Sequence, residues 1–465
     1  MCRCILAVML MVPLVVSGAG HHRAEGGGIE SGNVILIVVD TLAAQHLGFM
    51  GYERDTSPFM DELASRSVVF DCAYTPKSTT GPAVTSLLSA RHPARHGVID
   101  NGVNLPPDIR FLTEDFRDAG FATWGVAAAR VLGAQYGFDR GFDYYANIPA
   151  IPHDAPAIIE RLKRILGGSP WLGEPSRAET RGPLFLMVHF YDPHTDYAPD
   201  EDILAGFADP EYSGVVDGTG EQLLRYNDYE IDLDEGDLRR VRDLYDAEIR
   251  TFDDHLRTLF DLLGEYGLID RSIIVLTADH GENLGEHHFT THGHPYEASL
   301  HIPLLFHFPG DRFGGTRIDA VVENTDILPT LLELADVEIP NGLDGGSLMG
   351  LIDPEAGETY PQREYLYAIG YPTEAGRTYG AFDGRYRLIV DVVEGGNSDR
   401  VRDVLLYDIL GDPHETRNLA GEKPDVLGRL VSVLGPMIAP SPDIRMAAMD
   451  PSTQEMLRSL GYTER

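Results

Sequence analysis

Nearly continuous apolar runs constrain the fold of this chain more than any other feature of its sequence. Four such runs are separated by long polar stretches: Asn33–Val39, Leu184–Val188, Ser272–Leu276 and Pro303–Phe306. A strand that is apolar along its whole length is typical of a sheet whose two faces are both covered. Helical patterns lie between the runs, notably at Ser57–Ser65 and Gly236–Leu263. The alternation predicts an α/β fold in which helices sandwich a large, mostly parallel sheet.

The first 32 residues differ from the rest of the chain. Residues 1–20 combine a basic start at Arg3, an apolar run at Ile5–Val16 and small residues at Ser17–Gly20. This layout is typical of an export signal, and the run is short for a membrane-spanning helix. Residues 21–32 are polar and rich in glycine, which predicts a linker. We therefore expect a signal peptide, a linker, and a periplasmic or secreted protein.

The last hundred residues also change character. From about Tyr365 the chain carries short strand-like pieces at 387–390 and 404–407, followed by a helical pattern near Pro424–Leu434. This order predicts a small α+β subdomain. We place the catalytic domain at 33–360 and the C-terminal subdomain at 361–465. Within the catalytic domain, the acidic and glycine-containing segment Asp200–Asp237 predicts a surface insertion or lid.

Charge limits the partners of the chain. The formal net charge is −36 and the sequence pI is about 4.7. A surface this acidic repels nucleic acid and anionic membranes, which excludes both as partners. Beyond the N-terminal run, no stretch has the pattern of an integral membrane span. An anionic substrate would need local positive charge or a metal ion at its site.

Polar residues follow three of the predicted strands directly. Asp40 follows the first run, residues 189–194 extend the second, and Asp279 and His280 follow the third. In open α/β sheets, functional groups gather beyond the carboxyl ends of the strands. Asp and His side chains suit a hard or borderline divalent cation. A single Asp at such a place is more simply a helix cap, but three chemically matched strand ends favour a metal site.

The order of the motifs resembles the sulfatase family of the alkaline-phosphatase superfamily. The matching segments follow one another along nearly the whole chain: Asn33–Leu42, Thr80–Ser89, Asp192–His194, Asp279–His287, His292–Gly293 and Leu406–Asp408. Each motif is weakly specific by itself, whereas their order and spacing are highly specific. The resemblance implies an alkaline-phosphatase-like fold and a hydrolase of sulfate or phosphate esters, acting on a small molecule or a glycan.

The resemblance also implies roles for individual residues. Asp40, Asp279 and His280 hold one divalent metal ion together with Thr80, which occupies the nucleophile position. The family favours Ca²⁺, although Mn²⁺, Mg²⁺ or Zn²⁺ would also suit these ligands. Three further residues contact the substrate or protonate the leaving group: Asn101, His194 and His292. His294 is the alternative to His292, because the local alignment is ambiguous by a residue or two.

The nucleophile segment departs from that of the sulfatases proper. They carry a cysteine or serine that becomes formylglycine, followed by an arginine where this chain has Val84. Thr80 cannot become that aldehyde, so we expect no formylglycine. A phosphorylated threonine is cleared by water beside a metal, whereas a sulfated one is cleared slowly. Nearby Lys77 and Arg91 could add positive charge, but surface or structural roles are more typical.

Three functional interpretations remain open. The first is an ester hydrolase that acts on sulfate esters, or a phosphodiesterase or phosphonate ester hydrolase without true sulfatase activity. The second is a phospho-group transferase, although such relatives usually carry several membrane-spanning helices. The third is a catalytically silent sulfatase-like protein, which is disfavoured by the joint presence of five residues: Asp40, Asp279, His280, His194 and His292. The sequence does not indicate the oligomeric state.

Overall fold

The computed structural model describes residues 32–148, 154–168, 182–356, 360, 363–373, 376–393 and 400–434. The predicted signal peptide, 1–20, lies outside these residues, as does the predicted linker apart from Gly32.

A large eight-stranded sheet forms the centre of the molecule. In chain order its strands are β1 (Asn33–Val39), β2 (Val68–Tyr74), β3 (Ala122–Ala128), β4 (Tyr144–Ile148), β5 (Leu184–Phe190), β6 (Ser272–Ala278), β7 (His301–His307) and β8 (Thr316–Glu323). Their spatial order is β4-β3-β5-β1-β6-β7-β2-β8. Every residue of β1, β5, β6 and β7 is buried, as their apolar sequences require. The predicted α/β fold with a mostly parallel sheet is confirmed.

The strand pairings bring three polar strand ends together. β1 is parallel to β5 on one side and to β6 on the other, with Val39 opposite Phe190 and Ala278. Their carboxyl ends therefore lie at one edge of the sheet. The run at Pro303–Phe306 belongs to β7, which is antiparallel to both β6 and β2. The apolar run alone does not encode the direction of this strand.

Helices cover the sheet, and the longest of them packs across several others. The helices are α1 (Pro58–Ser65), α2 (Thr80–Ser89), α3 (Pro93–His96), α4 (Thr113–Asp118), α5 (Ala155–Gly167), α6 (Glu201–Leu204), α7 (Gly220–Asn227), α8 (Glu235–Glu265), α9 (Glu297–Leu300), α10 (Ile327–Leu334), α11 (Met349–Ile352) and α12 (Pro424–Leu434). α8 begins at a capping box formed by Asp234 and Asp237 and packs against α1 and α5. Phe252 of α8 meets Phe190 of β5 with ring centroids 5.2 Å apart. Such a buried ring contributes about 1.5–3 kcal/mol.

A second, four-stranded antiparallel sheet follows the large one in the chain. It contains β9 (Leu366–Thr373), β10 (Gly376–Phe382), β11 (Tyr386–Val393) and β12 (Arg400–Asp408), in the order β12-β11-β10-β9. α12 packs against β10 and β11. Ile369 of β9 forms an isolated bridge with Lys77, so this sheet reaches the segment between β2 and α2.

Across the described residues, none of the helices combines the length and hydropathy needed to cross a bilayer.

Candidate functional site

The carboxyl ends of β1 and β6 bring Asp40, Asp279 and His280 into one buried cluster. His280 Nε2 lies 3.5 Å from Asp40 Oδ1 and 3.6 Å from Asp279 Oδ2. All three side chains are fully buried. The parallel pairing of β1 with β6 places Asp40 and Asp279 side by side, because each directly follows its strand.

Thr80 joins this cluster from the first turn of α2. Its Oγ1 donates a hydrogen bond to Asp40 Oδ2 at 3.3 Å. Thr79 is the N-cap of α2, so the positive end of the helix dipole lies at the cluster. The hydroxyl therefore sits where negative charge is stabilised by the backbone as well as by any bound cation.

The protonation pattern of the cluster fits a divalent cation. His280 Nδ1 lies 3.0 Å from the Gly281 carbonyl, which can only accept, so the hydrogen of the neutral ring is on Nδ1. The Nε2 lone pair then faces two carboxylate oxygens. Among the described residues, His280 Nε2, Asp40 Oδ1 and Asp279 Oδ2 have no hydrogen-bond partner. Buried electron-rich atoms that face one another are the arrangement a metal ion requires.

Burial shapes the electrostatics of the same residues. Burial and the charge of Asp279 raise the pKa of Asp40 well above its usual range. Burial disfavours the Asp279 carboxylate too, but the His280 and His189 rings outweigh it and hold its pKa below the ordinary value. Burial also lowers the pKa of His280 to about 4, so its ring is neutral near pH 7. Neutral imidazole is the form that binds a metal ion.

The loop after β1 is held in an unusual conformation. Thr41 has a φ of 55°, which is rare for a β-branched residue. Its N–H donates to Asp279 Oδ1 at 3.3 Å, and its carbonyl accepts from the Tyr245 hydroxyl of α8 at 2.5 Å. The same hydroxyl accepts from Ala43 N at 2.9 Å. α8 thereby fixes the backbone that carries Asp40, and strain at such a place is typical of functional sites.

Asn101 lies against the start of α2. Its Oδ1 accepts from Gly81 N at 2.7 Å, and its side chain is almost wholly buried. Among the described residues its Nδ2 has no hydrogen-bond partner. An amide nitrogen beside Thr80 can donate to an oxygen of a group bound there.

His194 and His292 are brought to the same place. Their ring centroids are 5.1 Å apart, and the His292 ring is 4.4 Å from that of His280. His194 Nδ1 donates to the Thr195 carbonyl at 2.8 Å, and its ring stacks on Tyr191. Burial lowers the pKa of His194 well below its usual range and that of His292 to about 4.

The other candidate histidine lies outside the group. The His294 ring stacks on Phe289 at a centroid distance of 3.7 Å, and its carbonyl accepts from Ser78 Oγ. His287 stacks on Tyr296, and His288 stacks on Tyr229. The geometry therefore places His292, and not His294, beside His194 and His280.

Two buried residues of this site lie in strand-end segments noted in the sequence but received no role there. Glu282 Oε1 lies 3.0 Å from His292 Nδ1 and its side chain is fully buried. His189, within β5, has its Nε2 3.9 Å from Asp279 Oδ2. The sequence feature that could have indicated a role for His189 was a single imidazole inside an otherwise apolar strand. For Glu282, the corresponding feature was a carboxylate two residues after His280.

The C-terminal sheet forms one wall of the site. Lys77 is fully buried, which agrees with the structural rather than the surface role expected for it, and its Nζ donates to the Gly370 carbonyl at 2.7 Å. Burial lowers the pKa of Lys77 to about 7. Arg377 holds both oxygens of Asp100, the neighbour of Asn101, at 3.0 and 2.7 Å. The sheet thus supports the segment that precedes Thr80 and the residue next to Asn101.

Gly281 is required by close packing behind the cluster. A Cβ at this position would lie 2.1 Å from the Ala298 carbonyl oxygen. We expect Gly281→Ala to lower the free energy of unfolding by about 1–3 kcal/mol, because the backbone that carries His280 must shift. Chemical denaturation measures this directly. Gly264→Ala is the matched control, since a Cβ there meets nothing within 4 Å and a helical alanine should be neutral or stabilising. Equal effects of the two changes would contradict the packing explanation.

Comparisons with known proteins agree with this architecture. The family model described as Sulfatase matches residues 32–337, and the one described as N-sulphoglucosamine sulphohydrolase, C-terminal, matches residues 285–430. An ulvan-active sulfatase of Formosa agariphila is 26% identical over 417 residues, covering 84% of this chain and 77% of that protein.

Two solved structures share the fold at low sequence identity. One is a protein solved in complex with its substrate, D-glucosamine-2-N,6-O-disulfate. Its TM-score is 0.69 at 20% identity, covering 93% of this chain and 98% of that chain. The other is the phosphonate monoester hydrolase of Agrobacterium radiobacter, with a TM-score of 0.66 at 20% identity, covering 88% of this chain and 95% of that chain. Because the Sulfatase model matches more than half of the sequence, the chain belongs to the sulfatase family of the alkaline-phosphatase superfamily and is an ester hydrolase of the sulfatase type.

Proposed function

We propose that this chain is an exported, metal-dependent hydrolase of sulfate or phosphate esters that uses Thr80 as its nucleophile. The observation that carries the proposal is the convergence of the Thr80 hydroxyl with Asp40, Asp279 and His280 in one buried cluster. These three residues would hold one divalent cation. When bound, such an ion acts as a Lewis acid that favours a deprotonated hydroxyl and offsets charge on the transferred group.

In the proposed reaction, Thr80 attacks the substrate. Its hydroxyl hydrogen points at Asp40 Oδ2, so the proton leaves towards that carboxylate. A bond forms between Thr80 Oγ1 and the phosphorus or sulfur atom as the bond to the leaving oxygen breaks. The N-terminus of α2 favours the negative charge on the oxygens of the transferred group. Water then releases the group from Thr80 in a second displacement.

The neighbouring polar residues supply stabilisation and a proton. Asn101 Nδ2 can donate to an oxygen of the transferred group, with its orientation fixed by the bond to Gly81. His194 lies in the same cluster and can contact the same oxygens. Burial raises the pKa of Glu282 well above its usual range, so its carboxyl group can donate to His292 Nδ1 and leave the ring hydrogen on Nε2. That hydrogen can protonate the leaving oxygen while Nδ1 takes the proton of Glu282.

The identity of the nucleophile bears on the class of ester. A threonine cannot release sulfate by collapsing to an aldehyde, whereas a phosphorylated threonine is cleared by in-line attack of water. Thr80 therefore favours phosphate or phosphonate esters. The similarity to a sulfatase active on ulvan supports the other class, a sulfate ester carried on a glycan.

A substrate panel tests the proposal. Metal-stripped protein is assayed on nitrophenyl sulfate, nitrophenyl phosphate, bis(nitrophenyl) phosphate and a nitrophenyl phosphonate monoester, with Ca²⁺, Mg²⁺, Mn²⁺ or Zn²⁺ added back. We expect no turnover without metal, recovery with a divalent ion, and a higher kcat/KM on the phosphorus esters than on the sulfate. Undiminished activity after metal removal would overturn the metal-dependent mechanism.

The same panel separates the remaining interpretations. Turnover of the sulfate ester alone would assign the site to sulfate despite Thr80. Stoichiometric metal binding without turnover of any ester would favour the silent sulfatase-like protein. Asp279→Asn is a suitable negative control, because it removes one carboxylate charge from the cluster while keeping the size of the side chain.

A further inference from the structure

His189 lies against the cluster from the third strand end. It is fully buried in β5, and its Nε2 lies 3.9 Å from Asp279 Oδ2, the oxygen that also faces His280 Nε2 at 3.6 Å. Ligand atoms of Asp40, His189 and Asp279 all lie within 4.8 Å of one another. A single ion could therefore contact all three with small side-chain adjustments.

The tautomer of His189 is set by the neighbouring strand. Its Nδ1 lies 3.0 Å from the Ala128 carbonyl at the end of β3, and a carbonyl can only accept a hydrogen bond. In the neutral ring, the lone pair is therefore on Nε2. Among the described residues this atom has no hydrogen-bond partner, and neither has Asp279 Oδ2. A lone pair that faces a carboxylate oxygen is repelled unless a cation lies between them.

We propose that His189 is an additional ligand of the metal ion, and that it makes the site selective for a borderline ion such as Zn²⁺ over Ca²⁺. The proposal rests on the metal site of the proposed function and extends it. Two imidazoles and two carboxylates, with the Thr80 hydroxyl, form a mixed nitrogen and oxygen set. Ca²⁺ prefers six to eight oxygen ligands, whereas imidazole suits Zn²⁺. The carbonyl of Ala128 acts as the outer partner that orients a metal-binding histidine.

Metal affinity tests this inference without reference to turnover. Metal-stripped full-length protein and its His189→Asn variant are dialysed against buffered Zn²⁺ and, separately, Ca²⁺, and bound metal is measured by mass spectrometry. We expect the unmodified protein to bind Zn²⁺ in preference to Ca²⁺. Outer partners of metal ligands alone change affinity by about 10–100-fold, so loss of a ligand should weaken Zn²⁺ binding by roughly 100-fold or more. Ca²⁺ binding should change far less.

His288→Asn is the matched control, because this half-buried imidazole stacks on Tyr229 away from the cluster. Unfolding curves check that each variant is folded. X-ray absorption of the Zn²⁺-loaded protein counts imidazole ligands and needs no variant. Two imidazoles would support the proposal. One imidazole, or unchanged Zn²⁺ affinity in folded His189→Asn, would overturn it and leave the proposed metal-dependent hydrolase intact. Failure to bind any divalent ion would overturn both.

Discussion

Thr80→Ala is expected to lower kcat/KM on the best substrate by roughly 10³-fold or more, in line with the loss of other enzymic nucleophiles. The hydroxyl is the attacking group in the proposed reaction, and it is held 3.3 Å from Asp40 Oδ2 at the first turn of α2. Steady-state kinetics at saturating metal give the ratio. Thr80 is fully buried, so unfolding curves must accompany the kinetics.

Thr80→Ser is the matched control for this change. It retains the hydroxyl and removes one methyl group, so it should keep most of the activity that the alanine variant loses. Rapid quenching with a phosphorus ester should trap the transferred group on the peptide that contains Thr80, which mass spectrometry can locate. Full activity in Thr80→Ala would show that water attacks the substrate directly.

Arg387→Ala is expected to lower the free energy of unfolding by about 3–5 kcal/mol. Arg387 of β11 is 1% exposed, and its Nη2 donates to Glu297 Oε2 of α9 at 2.7 Å. Its Nη1 approaches Glu415 Oε1 at 3.5 Å. Removal of the guanidinium leaves two buried carboxylates without their cation. Chemical denaturation measures the change.

The pH dependence of this effect has a definite sign. Burial raises the pKa of Glu297, but Arg387 and His301 outweigh it and hold the pKa at about 2, against 4.5 for an unperturbed glutamate. A depressed pKa contributes stability above the unfolded value, and this contribution, about 3 kcal/mol, is lost as the pH falls from 4.5 towards 2. The stability difference between Arg387→Ala and the unmodified protein should therefore shrink over that window.

A variant without charges at Arg387, Glu297 and Glu415 distinguishes the effect of an unpaired charge from the effect of lost packing. In a triple variant, Arg387→Met is combined with Glu297→Gln and Glu415→Gln, so that no charge is left unpaired. Replacing a buried ion cluster as a whole is often close to neutral, whereas removing one partner is not. The triple variant should be more stable than Arg387→Ala. If both were equally destabilised, lost packing rather than an unpaired charge would be the cause.

The central sheet could be predicted because each buried strand is recognisable from its own short stretch of sequence. Asn33–Val39 and Ser272–Leu276 are apolar at nearly every position, and such runs form buried strands whatever their neighbours are. The placement of Asp40 and Asp279 followed from the rule that parallel strands share their carboxyl edge. The antiparallel direction of β7 could not be predicted in this way, because it depends on how the chain returns from α9 rather than on the composition of the strand.

The missed parts of the site depend on contacts between distant residues. Lys77 resembles any lysine in a polar loop, and its burial arises only when β9 supplies the Gly370 carbonyl. The position of His189 becomes informative only beside Asp279, which follows a different strand. The pairing of Glu282 with His292 depends on the loop that follows His280 folding back over it. For Lys77 and His189, no short window of sequence contains both partners of the contact. Glu282 and His292 are only 10 positions apart, but their pairing depends on how the loop between them folds.

The contact between Lys77 and Gly370 joins two parts of the chain that are synthesised at different times. The two residues are 293 positions apart in the chain. At the usual pace of translation, about 15–60 s pass between the synthesis of Lys77 and the synthesis of Gly370. In the last part of that interval, once Asp279 has been added, a nascent chain contains Asp40, Thr80 and Asp279 but lacks the sheet beside them. Chains released early should therefore be inactive, even when they contain all the residues assigned to the chemistry.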